Sequence, residues 1–561
     1  MRKIIVGSEI PEDYSINNYI LYGYLKGDYS EMLNEIFLFD KNNSINQDDL
    51  LNYNHLTFKY SILNSNKVVD YLNSLMSTDF PPSFWEVIIN PWWIYMIQYF
   101  HFQKTMILKF LNIYKNETLG FELLGKNLFN FKFEDTNDFI KNGLSSPDFN
   151  YWVISRIIEK LAPNNLYLTY RTNKLINTPY RTNFNFKKCI VSFYYKIHDK
   201  FFPNVIGLYN LRFDNKIILF NIFRKLNYTK KAVQKELLLA EMEMIHFFDD
   251  VFNEIWKSSI PSSFFKSKIN NLEINGSVLF DSSEISNDYL KIRIANLRRL
   301  GIPIFSLQHG GHNYGTGRFA SFMIFDYFLA DVFIKWGNYN NTQIINNSIF
   351  LPYQKLSRRH FFSNKILKDK IIWIGSHNLS FFFRYDSNLQ MSHVDDYRRM
   401  KINFFTKILN NSKLKSNFVF RPYFYFKDGI NDSEFFKNEF PDLIIYDQKF
   451  EFDVYCHAKL LIMDHPGTTL NYAFARNIPT ICIWKNSFYK FTDEALEIFL
   501  EMKRNNLLFN DEKFLYEFLD SNVDIYSWWF SNNVQSIVSK FNFLYSSQDS
   551  NWIKEWSRSL R

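Results

Sequence analysis

Two short segments combine glycines with histidines and hydroxyl side chains, which are residue types that bind phosphates and move protons. One is DHPGTT (464–469), which follows the apolar run KLLIM. If that run is a strand and a helix follows it, Thr468 and Thr469 lie at the helix N-terminus, where unpaired N–H groups and the dipole favour an anion. Gly467 lets the backbone approach a ligand closely, and His465 is placed to donate to a phosphate or stack on a sugar or base.

A purely structural role explains this segment equally well. In that case Thr468 only caps the helix, and Asp464 only accepts hydrogen bonds from loop amides. Two arginines favour the anion site, to which we also assign Asp464. Arg421 ends the apolar run NFVF, and Arg384 follows the first strand of the same region in SFFFRYD. A single arginine is usually a surface residue, but two at one sheet edge would clamp a diphosphate.

The second segment is SLQHGGHNYGTGRF (306–319), which also follows an apolar run. Its four glycines indicate a loop that bends sharply or approaches a ligand. His309, directly after the predicted strand, is placed to act as a general base or a phosphate donor, whereas His312 is more typical of an exposed loop residue. Metal binding is disfavoured, because no carboxylate lies near these histidines in the sequence. Neither segment is a Rossmann GxGxxG or a Walker loop.

The elements that would position these loops alternate between strands and helices. SVLFDSS (277–283), a helix ended by Gly301 and IPIFSLQ (302–308) form a βαβ unit, which predicts a parallel sheet. A second series begins after a basic linker at 351–365. Its predicted strands are KIIWIGS, NFVFRP, DLIIY, KLLIM and IPTICIW, and a last amphipathic helix covers 534–545. Loops that follow parallel strands meet at one sheet edge, so each loop predicts a ligand site.

The whole chain is therefore predicted to be an α/β protein with two doubly wound, Rossmann-like domains that face each other across a cleft. We place the N-terminal domain at 1–352 and the C-terminal domain at 353–561. A length of 561 residues agrees with about two large domains. Strand KIIVG (3–7) opens the chain, and the region from about 15 to 270 is mostly helical, which predicts large helical insertions in the N-terminal domain.

Composition restricts the class of protein. Apolar residues make up 47% and charged residues 22%, as in a globular protein. The formal net charge of +8 is mild, and no basic block of the kind that binds nucleic acid is present. Three scattered cysteines predict reduced thiols. The start of the chain lacks the apolar stretch of a signal peptide, and 84–100 is too interrupted to span a bilayer. We predict a cytoplasmic protein, compatible with peripheral contact at the inner face of the membrane.

Over most of its length the sequence resembles a family of transferases encoded in bacterial O-antigen and other surface-polysaccharide loci. The segments that carry the resemblance are NPWWIYMIQYF, QHGGHNYG, DYFLADVFIKWG, FRPYFYFKDG, DHPGTTLNYAFARNIPTI, ALEIFLEMKRNNLLF and the tryptophan-rich end. More distantly it is similar to GT-B transferases, among them capsule Kdo transferases and CDP-glycerol glycerophosphotransferases. Those relatives commonly have His-Pro where this chain has Arg421-Pro422, so Arg421 would take over the role of phosphate donor.

The resemblance implies a GT-B fold and a division of labour between the two domains. The C-terminal domain would bind the nucleotide of the donor through Arg384, Arg421, Asp464, His465, Gly467, Thr468 and Thr469. The N-terminal domain would present the acceptor beside the loop residues Gly310, Gly311, Tyr314 and Gly315. His309 would be the general base, with Asp326 or Asp331 as weaker alternatives. Neither a metal nor a cofactor is expected, since positive side chains and a helix N-terminus would carry the leaving-group charge.

The function predicted from the sequence is a glycosyltransferase that moves a sugar from a nucleotide-activated donor to an O-antigen-type acceptor. Its partners would be a nucleotide sugar and a glycan or lipid-linked glycan, and the oligomeric state is left open. Three alternatives remain at this stage. They are a polyol-phosphate transferase with a CDP-alcohol donor, a nucleotide-sugar 2-epimerase, and a non-catalytic scaffold of a polysaccharide assembly complex.

Overall fold

The structure is a computed structural model of the 561-residue chain. It describes residues 1–7, 9–25, 30–125, 131–171, 201–206, 213–226, 248–266, 274–281, 286–311, 315–317, 330–340, 348–353, 356–357, 369–376, 381–385, 389–423, 430–447, 455 and 457–560.

The described strands form three sheets in which every pairing is parallel. The first sheet has the order β2-β1-β3-β4, with β1 Arg2–Val6, β2 Tyr19–Gly23, β3 Leu119–Leu123 and β4 Leu166–Tyr170. The second runs β5 Val205–Ile206, β6 Val278–Asp281, β7 Ile304–Leu307, β8 Val332–Lys335, β9 Ser348–Phe350. The third has the order β11-β10-β12-β13-β14, with β10 Ile371–Ile374, β11 Phe418–Arg421, β12 Leu460–Met463, β13 Thr480–Ile483 and β14 Leu508–Phe509.

The helices surround these sheets, so the protein is α/β, as the sequence predicts. They are α1 Gln47–Leu63, α2 Ser65–Met76, α3 Pro82–Ile113, α4 Thr136–Asp138, α5 Pro147–Leu161, α6 Phe213–Lys225, α7 Asp250–Ser258, α8 Asp288–Arg299, α9 Val394–Leu409, α10 Ser412–Lys415, α11 Asp432–Glu439, α12 Thr468–Ala475, α13 Asp493–Arg504, α14 Glu512–Asp520, α15 Ile525–Trp529, α16 Asn532–Tyr545 and α17 Trp552–Ser559.

The first sheet lies in the region that the sequence presents as helical and irregular. Only β1 is anticipated there. One face of the sheet, which includes Ile4, Val6, Phe121 and Leu123, is buried, and α5 packs against β3. The pattern is hard to recognise because β3 reads LGFEL and β4 reads LYLTY. Alternation of polar with apolar residues is unusual for parallel strands, which are normally buried on both faces.

Helix α3 connects this region to the rest of the molecule. It has 32 residues, and its middle is almost entirely buried, with Trp92, Ile94, Met96 and Tyr99 at 0–5% exposure. It packs on α1, α2, α5 and α8. On another side it receives the segment 381–385, in which the Tyr385 hydroxyl lies 2.5 Å from Nδ1 of His101. One apolar helix thus touches elements next to both the second and the third sheet.

The two five-stranded sheets differ in strand order. The second sheet runs sequentially from β5 to β9. In the third sheet the chain starts at β10, moves to β11 on one side, and returns to β12 on the other. Strand order therefore reverses between β10 and β12, and ligands of open α/β sheets bind outside the carboxyl ends of the strands at such a point.

The C-terminal segment runs back onto the second sheet. The N–H of Asn338 donates to the carbonyl of Phe543, at 3.1 Å, and that of Ser547 donates to Trp336, at 2.9 Å. Trp552 and Trp556 of α17 lie in the same apolar core as strand residues of the second sheet. The proposed division at 352/353 stays a prediction, since the three sheets share helices and connecting segments.

Two further expectations have clear outcomes. DLIIY (442–446) pairs with β11 only at an isolated parallel bridge between Phe420 and Ile445 and does not form a strand. Its first residues lie in the turn and bend that follow α11, which leaves too short a stretch to extend the pairing. Among the described helices, none combines the length and apolar character needed to cross a membrane.

Candidate functional site

The two glycine-containing loops touch each other. The backbone N–H of Gly311, in the loop after β7, donates to Oγ1 of Thr468, the first residue of α12, at 3.2 Å. Gly311 is buried, and a Cβ at this position would overlap the side-chain amide of Asn471. Glycine is therefore required by a close approach between the loop and the helix. The carboxyl edge of the second sheet meets that of the third at this contact.

A second contact extends the junction beyond Gly311. The N–H of Thr492 donates to the carbonyl of Thr316 at 2.9 Å, and its hydroxyl donates to the carbonyl of Gly315 at 3.3 Å. Gly317 pairs with Phe491 in an isolated antiparallel bridge. The loop after β7 is therefore anchored to the third-sheet region at two places.

Gln308 shapes the start of this loop, a role that the sequence analysis missed. It is 1% exposed, and its Oε1 accepts from the N–H of Trp336 at 2.9 Å and from the hydroxyl of Tyr339 at 3.0 Å. Its Nε2 donates to the carbonyl of Gly310 at 2.6 Å. A buried amide with this many partners fixes the direction of the loop. The available signal was a glutamine directly after an apolar strand.

The loop after β12 is built around a fully buried carboxylate. Asp464 has 0% exposure; Oδ2 accepts from Nε1 of Trp373 at 2.9 Å, and Oδ1 lies 3.0 Å from Nδ1 of His465. Nζ of Lys401 lies 3.7 Å from Oδ2. Asp464 is among the predicted donor-binding residues, but its burial leaves it no surface for a ligand, so any effect on a ligand would pass through His465.

Gly467 and the two threonines form the start of α12. Gly467 is the N-cap at φ −87°, and a Cβ there would lie 2.5 Å from Cδ2 and 2.6 Å from Nε2 of His465. The missing side chain thus makes room for the imidazole. Thr468 and Thr469 are half-buried, and within the described part of the chain their backbone N–H groups donate to no other group. These N–H groups are the ones that a helix N-terminus offers to an anion.

Neighbouring strands complete the edge of the third sheet. Arg421 ends β11, is 3% exposed, and its carbonyl accepts from the N–H of Gly375 at 2.9 Å. Burial raises the pKa of Tyr455 to about 12, although the adjacent Arg421 lowers it. Gly375 and Ser376, which follow β10, face the loop after β12 across the point where strand order reverses. Ser376 is not marked by any motif in the sequence, and its hydroxyl donates to that of Tyr397 at 2.8 Å.

The remaining predicted residues are distributed as follows. His309 is exposed and lies two residues before Gly311. Asp326 and Tyr314 lie outside the described residues. Arg384 belongs to the segment 381–385, whose ring contacts are with α3 and the N-terminal region. These ring contacts do not bring Arg384 to the junction of the two loops.

Asp331 is unsuited to proton transfer at this site. It precedes β8, and its Oδ2 accepts from the N–H of Ile304, the first residue of β7, at 2.8 Å. Asp331 therefore lies at the amino edge of the second sheet, whereas His309 lies at the carboxyl edge. Within the described ranges, no three His, Cys, Asp or Glu residues are grouped closely enough to hold a metal ion.

A protein-family model matches almost the whole chain. Residues 42–560 match the model of the LIC12162 family transferase, which leaves only the ends of the chain outside the match. The chain belongs to this family. The family is one of transferases, so this LIC12162 family protein is a transferase. No curated protein matches the sequence.

Several solved structures show a weak likeness. They include the spinosyn forosaminyltransferase (10% identity, 50% of this chain and 75% of that chain, TM-score 0.26). The α,α-trehalose 6-phosphate synthase from Burkholderia multivorans shows 12% identity over 58% of this chain and 78% of that chain, with a TM-score of 0.32. The pneumococcal O-GlcNAc transferase GtfA, solved with UDP and GlcNAc, shows 12% identity over 50% and 56%, with a TM-score of 0.28.

Proposed function

We propose that this transferase is a glycosyltransferase of the GT-B type. It moves a sugar from a nucleotide-activated donor to a surface-polysaccharide acceptor of the O-antigen kind. The observation that carries the proposal is the hydrogen bond between Gly311 and Thr468. It joins strand-end loops of two parallel sheets, so a donor on one and an acceptor on the other would be adjacent. Membership of a transferase family supports group transfer between two bound substrates.

The donor side is the third sheet. Its strand order reverses beside the loop 464–467, and the N-terminus of α12 offers N–H groups and a positive dipole end to a phosphate. Arg421 adds a positive group at the same edge, and His465 adds a ring that can donate a hydrogen bond to a phosphate. Together they stabilise the negative charge that develops on the leaving nucleotide, a role that does not call for a metal or cofactor.

The acceptor side is the loop after β7. His309 is exposed there and removes the proton from the acceptor hydroxyl as the oxygen attacks the anomeric carbon of the donor sugar. The bond from that carbon to the nucleotide phosphate breaks, and the electron pair leaves with the phosphate. Asp326 is the alternative base. The acceptor is a glycan or a lipid-linked glycan, and the reaction takes place in the cytoplasm, at or near the inner face of the membrane.

Binding of nucleotides tests the donor side. A thermal-shift panel with CMP, CDP, UDP, GDP and dTDP should show one nucleotide that stabilises the wild type by about 2.7 kcal/mol at 100 times its dissociation constant. Thr469→Ala should lower the affinity for that nucleotide, since the side chain stands at the N-terminus of α12. Thr406→Ala, on the exposed face of α9 in the same region, is the matched control and should bind normally.

The alternatives give different results in the same panel. If no nucleotide stabilises the wild type, the proposal is refuted and a scaffold role is favoured. A cytidine nucleotide, followed by turnover of a CDP-alcohol, would identify a polyol-phosphate transferase. Isomerisation of a nucleotide sugar without any acceptor would identify an epimerase.

A further inference from the structure

The ring of His465 is held from behind by a carboxylate that solvent does not reach. Oδ1 of Asp464 lies 3.0 Å from Nδ1 of His465, and Asp464 is 0% exposed whereas His465 is 7% exposed. The opposite side of the ring, with Cδ2 and Nε2, lies against the N-cap residue Gly467. The two nitrogens therefore face different surroundings: one a buried acceptor, the other the start of α12.

A chain of buried charges continues behind Asp464. Nζ of Lys401, with 0% side-chain exposure, lies 3.7 Å from Oδ2 of Asp464 and 2.8 Å from Oδ2 of Asp432. Asp432 also pairs with Nε of Arg398 at 3.2 Å. Burial raises the pKa of Asp432, but Lys401 and Arg398 lower it more, so this pKa lies below its usual value. Lys401 thus lies between the two buried side chains of Asp464 and Asp432.

Two neutral side chains, Trp373 and Tyr397, also contact Asp464. Nε1 of Trp373 donates to its Oδ2, and the Tyr397 hydroxyl donates to its backbone carbonyl at 3.3 Å. Burial, reinforced by the charge of Asp464, raises the pKa of Tyr397 and of Tyr489 well above the usual tyrosine value. Among the described residues, Lys401 and Asp432 are charged groups that lie behind the Asp464–His465 pair.

We infer that Asp464 is a positioning residue that keeps the proton of neutral His465 on Nδ1 and so couples nucleotide binding to protonation of Nε2. A carboxylate accepts hydrogen bonds only, so it selects the Nδ1–H tautomer. In that tautomer Nε2 carries a lone pair, which repels a phosphate oxygen. A phosphate at Nε2 is bound only when the ring takes up a proton there and becomes an imidazolium ion, whose two N–H groups then serve Asp464 and the phosphate.

This inference rests on the proposed function for the identity of the anion, but its first test does not need a nucleotide. Nitrogen-15 NMR of the histidine-labelled wild type at pH 8 should show the His465 signal as the Nδ1–H tautomer. His465→Gln assigns that signal among the 11 histidines. Asp464→Asn, whose amide can donate to Nδ1, should shift the ring towards Nε2–H. Asp395→Asn, a carboxylate paired with Arg399 on α9, should leave the signal unchanged.

The second test measures protons. Calorimetry of the stabilising nucleotide at pH 8, in buffers of different ionisation enthalpy, should show uptake of up to about one proton by the wild type. Asp464→Asn should take up almost none and bind about 10- to 100-fold more weakly, as expected when a charged hydrogen bond is lost.

The outcomes separate the two proposals. An Nε2–H tautomer in the wild type overturns the inference whether or not Asp464→Asn folds, and so does binding without proton uptake. An Nδ1–H tautomer in a protein that binds no nucleotide supports the positioning role and refutes the proposed function instead.

Discussion

The second and third sheets are both five-stranded and parallel, yet different chemical groups lie at their carboxyl edges. The second sheet runs in sequential order and ends β7 in a loop with an exposed imidazole, His309. In the third sheet strand order reverses, and the loop after β12 sits on a buried network of Asp464, Lys401 and Asp432. An exposed base suits a substrate that must be deprotonated. A helix N-terminus over fixed charges suits an anion that must be held.

Substitution of His309 should have the largest effect and tests whether the two sheets have different roles. We expect His309→Gln to lower the transfer rate by about 10²–10⁴, because one general base is typically worth that factor. The affinity for the donor nucleotide should stay the same, since the proposed nucleotide site is on the third sheet. Transfer assays and calorimetry on the same preparation measure the two quantities. If nucleotide affinity falls together with the rate, the division between the two sheets is wrong.

The buried charges of the third sheet provide a second test. Asp432→Asn should lower the free energy of unfolding by about 3–5 kcal/mol, because it leaves Lys401 and Arg398 buried without their carboxylate. The pKa of Asp432 is lowered in the folded protein, so its contribution is fully present above the unfolded value of about 3.9. This stabilisation should be lost as the pH falls below about 3.9 and through the lower pKa that Asp432 has in the folded protein. Denaturant unfolding of both proteins between pH 7 and pH 3 measures this difference.

A constant difference across that range would contradict the assigned ionisation of Asp432. Lys415→Ala serves as the control, because its pair with Asp442 is exposed and should contribute less than about 1 kcal/mol at any pH.

A smaller effect is expected where the two sheets meet. Gly311→Ala places a methyl group against the side chain of Asn471, so we expect a loss of about 1–3 kcal/mol from overpacking. Gly120→Ala is the matched control, since its nearest neighbour would be the end of Met1 at 3.4 Å, an ordinary contact. Thermal unfolding compares them. Equal melting temperatures for the two variants would mean that the loop and α12 are not pressed together in solution.

Much of the third sheet could be predicted from the sequence, whereas the first sheet could not. KIIWIGS, NFVFRP, KLLIM and IPTICIW are buried on both faces, so each is a continuous apolar run with turn residues at its ends. Strands β2 to β4 are interrupted by glycine, glutamate and threonine, and they pair across separations such as 2 to 119 that no local pattern shows.

The candidate site was predictable in part for the same reason. The loops at 306–319 and 464–469 could be placed at sheet edges, because the strands before them are recognisable. Gln308 and Asn471 were missed, since their partners are distant in sequence: Asn471 donates to Tyr545 and Ser546. Burial of Asp464 also depends on Trp373 and Lys401, which belong to other elements. Such contacts are properties of the assembled fold.

Helix α3 has a consequence for synthesis of the chain. Its apolar middle is covered partly by α1, α2 and α5, which are close in sequence, and partly by α8 and the segment 381–385. At ribosomal rates of about 5–20 residues per second, that last segment emerges roughly 15–50 s after α3 is complete. During this interval Tyr95, Phe102 and their neighbours have no partner from the segment. The growing polypeptide therefore carries an exposed apolar surface for about half of its synthesis, which is the kind of surface that chaperones bind.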